Sequence, residues 1–137
     1  MKLDEIAEGD ELPELERVVT AQDVKAYADA GGDQNPLHQD DAFARSVGFD
    51  GIIAHGMFTM GHMAAAVVAW TGDPAAIVRI SAQFRAPVFM GEEIVAGGRV
   101  AAVATDTATL QMWVRAGHAT EARWAIRRGE VTIKLDL

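Results

Sequence analysis

The amino-acid sequence predicts an α+β fold in which an antiparallel sheet wraps around one long buried helix. Two observations carry this prediction. Residues 55–70 are apolar almost all round, which is typical of a helix enclosed by the rest of the protein. From residue 76 onwards, apolar and polar residues alternate with the period of two that indicates β-strands.

Composition indicates an ordinary globular protein, and we expect residues 1–137 to form a single domain. Half of the 137 residues are hydrophobic and 23% are charged. The net charge of −8 argues against nucleic acid as a main partner, because phosphate binding needs a basic surface. No apolar run is long enough to cross a membrane, and the acidic N-terminus does not resemble a secretory signal. The absence of cysteine excludes thiol chemistry and fits a cytoplasmic location.

Two short helices are expected in the N-terminal half, at residues 20–30 and 41–47. Thr20 can cap the first helix, and a glycine pair follows its last turn. Asp40 or Asp41 can cap the second helix, which a glycine also ends. The segment between the two helices is therefore predicted to be a loop.

The longest helix is predicted for residues 55–70. Its small residues, Gly61 and Ala64 to Ala66, would let it pack closely against a sheet. The turn-forming residues 71–75 then end the helix.

Strands follow the long helix. The clearest alternating sets are Val78, Ile80, Ala82 and Phe84, and then Leu110, Met112 and Val114. Residues 93–104 are expected to form a further strand. In residues 122–136 the apolar residues change from even to odd positions. Trp124 and Ile126 are at even positions, and Val131, Ile133 and Leu135 are at odd positions. One extra residue near Gly129 would reconcile the two halves, so we predict a β-bulge there. The whole order is the outline of a hot-dog fold.

The loop between the first two helices carries an unusual set of polar residues. Asp33, Asn35, Pro36 and His38 occur within "GGDQNPLH". Pro36 removes one backbone N–H and pushes Asn35 towards an extended conformation, so the loop has a restricted shape. Asp33 alone would most simply be a turn residue. An acid and a histidine placed on one stiff loop, however, are suited to acid–base chemistry.

This loop and its flanks resemble the signature of the MaoC-like, or type 2, (R)-specific enoyl-thioester hydratases and dehydratases. The resemblance extends over "YADAGGDQNPLHQDDAFA", "IIAHGMFTMG" and "FRAPVFMGEEI". Within that family, "DQNPLH", "AHGMFTMG" and "WTGDP" are most similar to the catalytic subunits of actinobacterial 3-hydroxyacyl-carrier-protein dehydratases. The resemblance covers most of the chain.

The resemblance implies a hydro-lyase. The expected reaction is (R)-specific hydration of trans-2-enoyl thioesters, or dehydration of (3R)-hydroxyacyl thioesters, in fatty-acid metabolism. It implies that Asp33 and His38 form the acid–base pair and share one water, while Asn35 and Pro36 orient the loop. It implies that the backbone N–H of Gly56 stabilises the charge on the thioester oxygen, where a helix N-terminus has unpaired donors. Which member of the pair is acid or base at each step stays open.

Two other functions are considered. A hot-dog thioesterase would commonly carry a carboxylate on the long helix, and residues 55–70 contain none. A non-catalytic subunit that shapes the acyl tunnel of a heterodimeric dehydratase would be expected to have lost Asp33 or His38, and both are present.

No metal ion and no resident cofactor are expected; coenzyme A or phosphopantetheine would arrive as part of the substrate. His55 and His62, with Asp40 and Asp41, offer ligand chemistry, but their spacing fits no compact metal motif. We expect His55 to be structural at the helix start and His62 to be packed or at an interface. His118 is expected in an exposed turn.

An unpaired sheet edge favours association with a second subunit. We expect a homodimer, or a heterodimer with a related hot-dog subunit, and an acyl carrier protein is a possible further partner. The choice between coenzyme A and carrier-protein substrates, the acyl length and the physiological direction stay open.

Overall fold

The computed structural model describes residues 3–117 and 122–136. Within these residues the chain forms three α-helices and one five-stranded sheet, in the order β1 Glu11–Val18, α1 Ala21–Gly31, α2 Asp41–Ser46, α3 Gly56–Thr71, β2 Ile77–Phe84, β3 Glu93–Val103, β4 Thr107–Ala116 and β5 Arg123–Lys134. All strand pairs are antiparallel, and the order across the sheet is β1-β3-β4-β5-β2. Helix α3 packs against all five strands. The predicted architecture is therefore confirmed.

The two short helices begin where the sequence predicts. The Thr20 side chain accepts a hydrogen bond from the Asp23 N–H, and the Asp23 carboxylate accepts one from the Thr20 N–H, which is a complete capping box. Helix α1 is closed by Gly32 at φ 73°, a left-handed conformation that glycine adopts without strain. Asp40, one of the two predicted caps, accepts a hydrogen bond from the Phe43 N–H at the start of α2.

Helix α3 buries one face in the core. Thr59, His62, Met63, Ala66 and Val67 are all buried. The close approach of helix and sheet comes from the sheet side, which the sequence analysis did not anticipate. A Cβ added to Gly129 on β5 would lie against the Met63 side chain, whereas a Cβ added to Gly61 would meet nothing within 4 Å. The expectation that Gly61 lets the helix approach the sheet is therefore wrong.

Strand β4 follows the predicted alternation, with Leu110, Met112 and Val114 fully buried. Strand β2 does not follow it throughout. Ile77 pairs with Ile133 and Arg79 with Thr132, so Val78 is an extra residue in the ladder. This bulge leaves Val78 56% exposed, while Ile77 joins Ile80 and Ala82 against the core.

The predicted bulge in β5 is confirmed next to Gly129. Met112 pairs with Gly129 and Val114 with Ile126, so residues 127 and 128 together oppose one residue of β4. A second irregularity follows at residue 125, and both Ala125 and Ile126 are buried. Trp124 is consequently outside the core and packs edge-on against Trp113, so its predicted place beside Ile126 is wrong.

Strand β1 was missed by the sequence analysis. It pairs only with β3 and forms one edge of the sheet. Leu12 is its one buried residue, and Pro13 lies where the pairing register shifts. Charged residues and proline are tolerated at a sheet edge, where they discourage further pairing, and they hide the alternation expected of a strand.

The expectation for His118 falls outside the described residues. No helix in the described part of the chain is both long enough and apolar enough to span a membrane.

His62 connects α3 to the edge strand β1. Its Nε2 lies 2.8 Å from the Leu15 carbonyl oxygen, and because a carbonyl only accepts, the ring donates. Burial lowers the pKa of His62, and the positive charge of Arg17 acts in the same direction. The folded state therefore favours the neutral ring.

The lowered pKa predicts a pH-dependent stability. The unfolded chain, with its ordinary histidine pKa, takes up this proton before the folded chain does, so stability is lost as the pH falls below about 6.5. In His62→Gln an amide still donates but the titration is removed. We expect Tm to decrease less in this variant than in the wild type when the pH is lowered from about 7 to about 5. Equal decreases in thermal melts would contradict the assignment.

Candidate active site

The loop from Asp33 to His38 is shaped by its own side chains. The Asp33 Oδ1 accepts from the Asn35 N–H at 3.2 Å, and the Asn35 Oδ1 accepts from the Leu37 N–H at 3.0 Å. Pro36 begins a 3₁₀ turn, Pro36–His38, that Asn35 caps. These successive turns fix the path of the backbone between α1 and α2. The loop-orienting positions predicted for Asn35 and Pro36 agree with this geometry.

His38 joins this loop to the segment that leads into α3. Its Nδ1 lies 2.7 Å from the Ile53 carbonyl oxygen, and the Ile53 N–H donates to the Leu37 carbonyl at 3.1 Å. Since the carbonyl can only accept, Nδ1 carries the proton. In the neutral ring, Nε2 therefore has a free lone pair. The side chain is 11% exposed.

His55 lies beside the pair, directly before α3. Its ring stacks on that of His38, with centroids 3.8 Å apart and planes inclined by 24°. Its Nε2 lies 3.1 Å from the Asp33 carbonyl oxygen, so this nitrogen donates. Tyr27 packs against the ring at 4.9 Å. His55 is 3% exposed, and its Nδ1 is buried without a hydrogen-bond partner.

The Asp33 carboxylate faces both histidines. Its Oδ2 lies 3.9 Å from the His38 Nε2 and 3.9 Å from the His55 Nε2. A direct hydrogen bond would require a shorter distance, but one water at roughly 2.8 Å from each atom would bridge Asp33 and His38. The Asp33 side chain is 53% exposed, so solvent has access to this gap.

A cavity of about 340 Å³ adjoins His38. Gly56, the first residue of α3, lines it, and so does the Phe84 ring, which lies close to the position that a Gly56 Cβ would take. The remaining lining side chains are mostly apolar, as expected for a site that holds a hydrocarbon chain. The first N–H groups of a helix have no intrahelical partner, so the N–H of Gly56, which lines this cavity, is a candidate hydrogen-bond donor for a bound molecule.

The structure brings together the predicted residues Asp33, His38 and Gly56. The carboxylate lies next to His38, while His38 and Gly56 line the same cavity. Their chemical roles stay predictions. His55 is not among the predicted site residues, although it directly precedes Gly56 in the chain. His55 is revealed by its hydrogen bond to Asp33, which lies 22 residues earlier in the chain. The spacing of the two residues in the sequence does not indicate this contact.

The structure also changes the candidate metal ligands. Asp40 caps α2, Asp41 pairs with Arg45, and His62 bonds to β1, so the earlier set is dispersed. In the described part of the chain, Asp33, His38 and His55 instead have ligand atoms within 4.8 Å of one another. The His55 Nε2, 3.9 Å from the Asp33 carboxylate, nevertheless donates to a carbonyl and so has no lone pair for a metal, while the lone pair of this ring is on Nδ1, which is buried. This arrangement is better suited to proton transfer.

The profile of the MaoC like domain matches residues 5–122. The mitochondrial 3-hydroxyacyl-[acyl-carrier-protein] dehydratase of Arabidopsis thaliana is 41% identical over 96 residues, which are 70% of this chain and 55% of that protein. An (R)-specific enoyl-CoA hydratase of Aeromonas caviae is 31% identical over 120 residues, 84% of this chain and 85% of the relative.

Among solved structures, the (R)-hydratase from A. caviae involved in PHA biosynthesis has a TM-score of 0.85 at 29% identity, covering 96% of this chain and 98% of that one. The sheet and long helix described above are therefore those of a hot-dog fold. The chain spans about half or less of the length of several curated relatives, including the mitochondrial dehydratase of Arabidopsis thaliana.

Because the His55 Nε2 carries a proton, we predict that the purified protein holds no stoichiometric metal. We expect far less than one transition-metal ion per chain by elemental analysis of protein prepared without chelators. Asp33→Asn is the comparison variant, because it removes the only anionic ligand of the cluster. One ion per wild-type chain, lost in Asp33→Asn, would overturn the prediction.

Proposed function

The chain belongs to the MaoC-like dehydratase family, and from this premise we propose that it is a hydro-lyase acting on acyl thioesters. The reaction is the (R)-specific addition of water to trans-2-enoyl thioesters, or its reverse on (3R)-hydroxyacyl thioesters. The thioester is carried on coenzyme A or on the phosphopantetheine of an acyl carrier protein. The names of the relatives include both kinds of substrate.

The observation that carries the proposal is the 3.9 Å gap between the Asp33 Oδ2 and the His38 Nε2, at the edge of an apolar cavity. One atom is a carboxylate oxygen and the other is a nitrogen whose lone pair is free, because Nδ1 donates to Ile53. Both accept hydrogen bonds from the two protons of a single water. That water is then held with its oxygen available to attack.

In hydration, His38 Nε2 removes one proton from the bound water while the water oxygen forms a bond to C3 of the enoyl group. The electron pair of the double bond moves towards the thioester oxygen, giving an enolate. His38 then returns the proton to C2. Both parts of the water are added from one face, since the same loop holds the donor and the nucleophile. Dehydration is the exact reverse, with the hydroxyl leaving as water.

The enolate needs a hydrogen-bond donor at the thioester oxygen. The N–H of Gly56 is suited to this task, because it is at the N-terminal end of a 16-residue helix whose dipole favours negative charge. A glycine here also leaves space between the helix and the Phe84 ring, where a Cβ would be within 3.2 Å of the ring. The proposed chemistry requires no resident cofactor.

We propose further that two hot-dog subunits associate, in the simplest case two copies of this chain. Strand β2 is one edge of the sheet and has two half-exposed apolar side chains, Val78 and Phe84. Helix α3 has an exposed stripe of Met57, Gly61, Ala65 and Ala69, one turn apart. Covering an open edge and an apolar helix face is the usual physical reason for pairing. Related subunits in a heterodimer would satisfy the same constraints.

The activity prediction uses crotonyl-coenzyme A, and also crotonyl-acyl carrier protein. We expect the wild type to remove the conjugated enoyl-thioester absorbance of at least one of them and to form the (3R)-hydroxy product. Asp33→Asn and His38→Ala should each lower kcat by about 10²- to 10⁴-fold, the usual contribution of a general acid–base group.

Asp40→Asn is the matched control for Asp33→Asn. Asn caps a helix as well as Asp does, so α2 stays intact while one carboxylate is removed seven residues after Asp33. We expect wild-type kcat in this control. Activity that persists in Asp33→Asn would refute the mechanism, and a (3S) product would refute the assigned stereochemistry.

The dimer prediction is tested by light scattering on the purified chain. We expect the mass of two chains for the wild type and of one chain for Ala65→Arg, because a charge in the exposed stripe of α3 opposes burial. The control is Ala102→Arg, which introduces the same charge at an exposed position of β3. A dimer that survives Ala65→Arg would exclude this helix face from the interface.

A further inference from the structure

We propose that His55 is a positioning residue for the reaction, holding Asp33 and His38 in place without touching the substrate. The inference rests on the proposed function and extends it to a side chain that the hydration mechanism above does not use. Three observations on the structure carry it.

The first contact is the hydrogen bond from the His55 Nε2–H to the Asp33 carbonyl oxygen, at 3.1 Å. This bond reaches from the start of α3 to the loop after α1. It holds the backbone of the residue whose carboxylate must face His38. Because the Asp33 side chain is itself half-exposed, the fixed position of its carboxylate depends on its backbone more than on burial.

The second contact is the stacked pair formed by the rings of His38 and His55, 3.8 Å apart. His38 is otherwise held by one hydrogen bond at Nδ1, about which its ring can still tilt. A flat ring on one face restricts that tilt. Tyr27 also packs against His55, with the two ring centroids 4.9 Å apart. His55 is therefore held in place by its neighbours while its ring restricts the movement of His38.

The third observation is the Nδ1 of His55, which is buried and has no hydrogen-bond partner. An unpartnered buried nitrogen is unfavourable, and an apolar ring would avoid it. If packing alone were required here, a phenylalanine would serve better. The imidazole is explained by what its other nitrogen does, namely donate to Asp33.

His62, in the helix that His55 precedes, is a matched control. It is also buried, and its Nε2 also donates to a backbone carbonyl, that of Leu15 on β1. Its bond, however, leads away from the site. Substitutions of His55 and His62 therefore disturb comparable packing, and only those of His55 disturb the acid–base pair.

The experiment compares four variants with the wild type, using the thioester that the wild type consumes. His55→Gln keeps a donor near Nε2, whereas His55→Phe keeps a ring but has no donor; His62→Gln and His62→Phe repeat the pair at the control site. We expect His55→Phe to lower kcat by about 10²-fold, the effect of a displacement of about 1 Å in a catalytic group, with KM unchanged. We expect His55→Gln to stay within roughly fivefold of the wild type, since an amide donor restores the bond. Both His62 variants should lower Tm and leave kcat unchanged.

A second readout does not depend on turnover. The Nδ1 proton of His38, bonded to Ile53, is observable by ¹⁵N-edited NMR. Its exchange with solvent should be faster in His55→Gln, which loses the ring stacked on His38, and close to that of the wild type in His55→Phe and in both His62 variants. If the wild type consumes no enoyl thioester, the proposed function fails, and this exchange rate alone decides whether His55 positions His38.

Two results would overturn the inference. One is a wild-type kcat in His55→Phe together with a wild-type exchange rate in His55→Gln, which would make His55 a packing residue like His62. The other is an equal loss of kcat in His55→Gln and His55→Phe, because the donor would then have no special part. In both cases the melting temperatures identify any variant that has simply failed to fold, and His55→Gln is the variant that retains the polar contact.

Discussion

The hydrogen bond between the His38 Nδ1 and the Ile53 carbonyl determines both the chemistry and the geometry of this site. It fixes the tautomer, because a carbonyl only accepts, and so leaves the Nε2 lone pair facing Asp33. It also joins the loop after α1 to the segment that ends at Gly56. The Ile53 N–H bond to Leu37 and the His55 bond to Asp33 connect the same two segments, so Asp33 and His38 have a fixed position relative to the helix N-terminus.

The elements around that bond differ in how firmly they are held. The loop makes its own turns through Asp33 and Asn35, so its shape is local and readily formed. Helix α3 is held by the sheet, with Met63 seated over Gly129. A local turn and a buried helix thus meet at His38. Rigid supports on both sides are what a proton-transfer site requires, because reactivity decreases steeply with misplacement.

Features with a local physical cause were predictable from the sequence. The capping box at Thr20 and the bulge beside Gly129 both follow from a few neighbouring residues. Errors arose where distant pairing decides the outcome. Val78 and Trp124 are displaced from the core by register shifts against neighbouring strands, which no alternation pattern reveals. Strand β1 was missed because an edge strand tolerates proline and charge.

The same distinction explains the site. Asp33 and His38 are five positions apart, so their proximity follows from the sequence, but His55 reaches Asp33 only because the fold brings α3 to that loop. The cavity beside them is bordered by Phe84 on the open edge β2. Proton transfer and oxyanion stabilisation are stronger where water is excluded, yet Asp33 is half-exposed in the single chain. A second subunit on the β2 edge would cover the side of the cavity at Phe84, so association and catalysis would depend on the same surface.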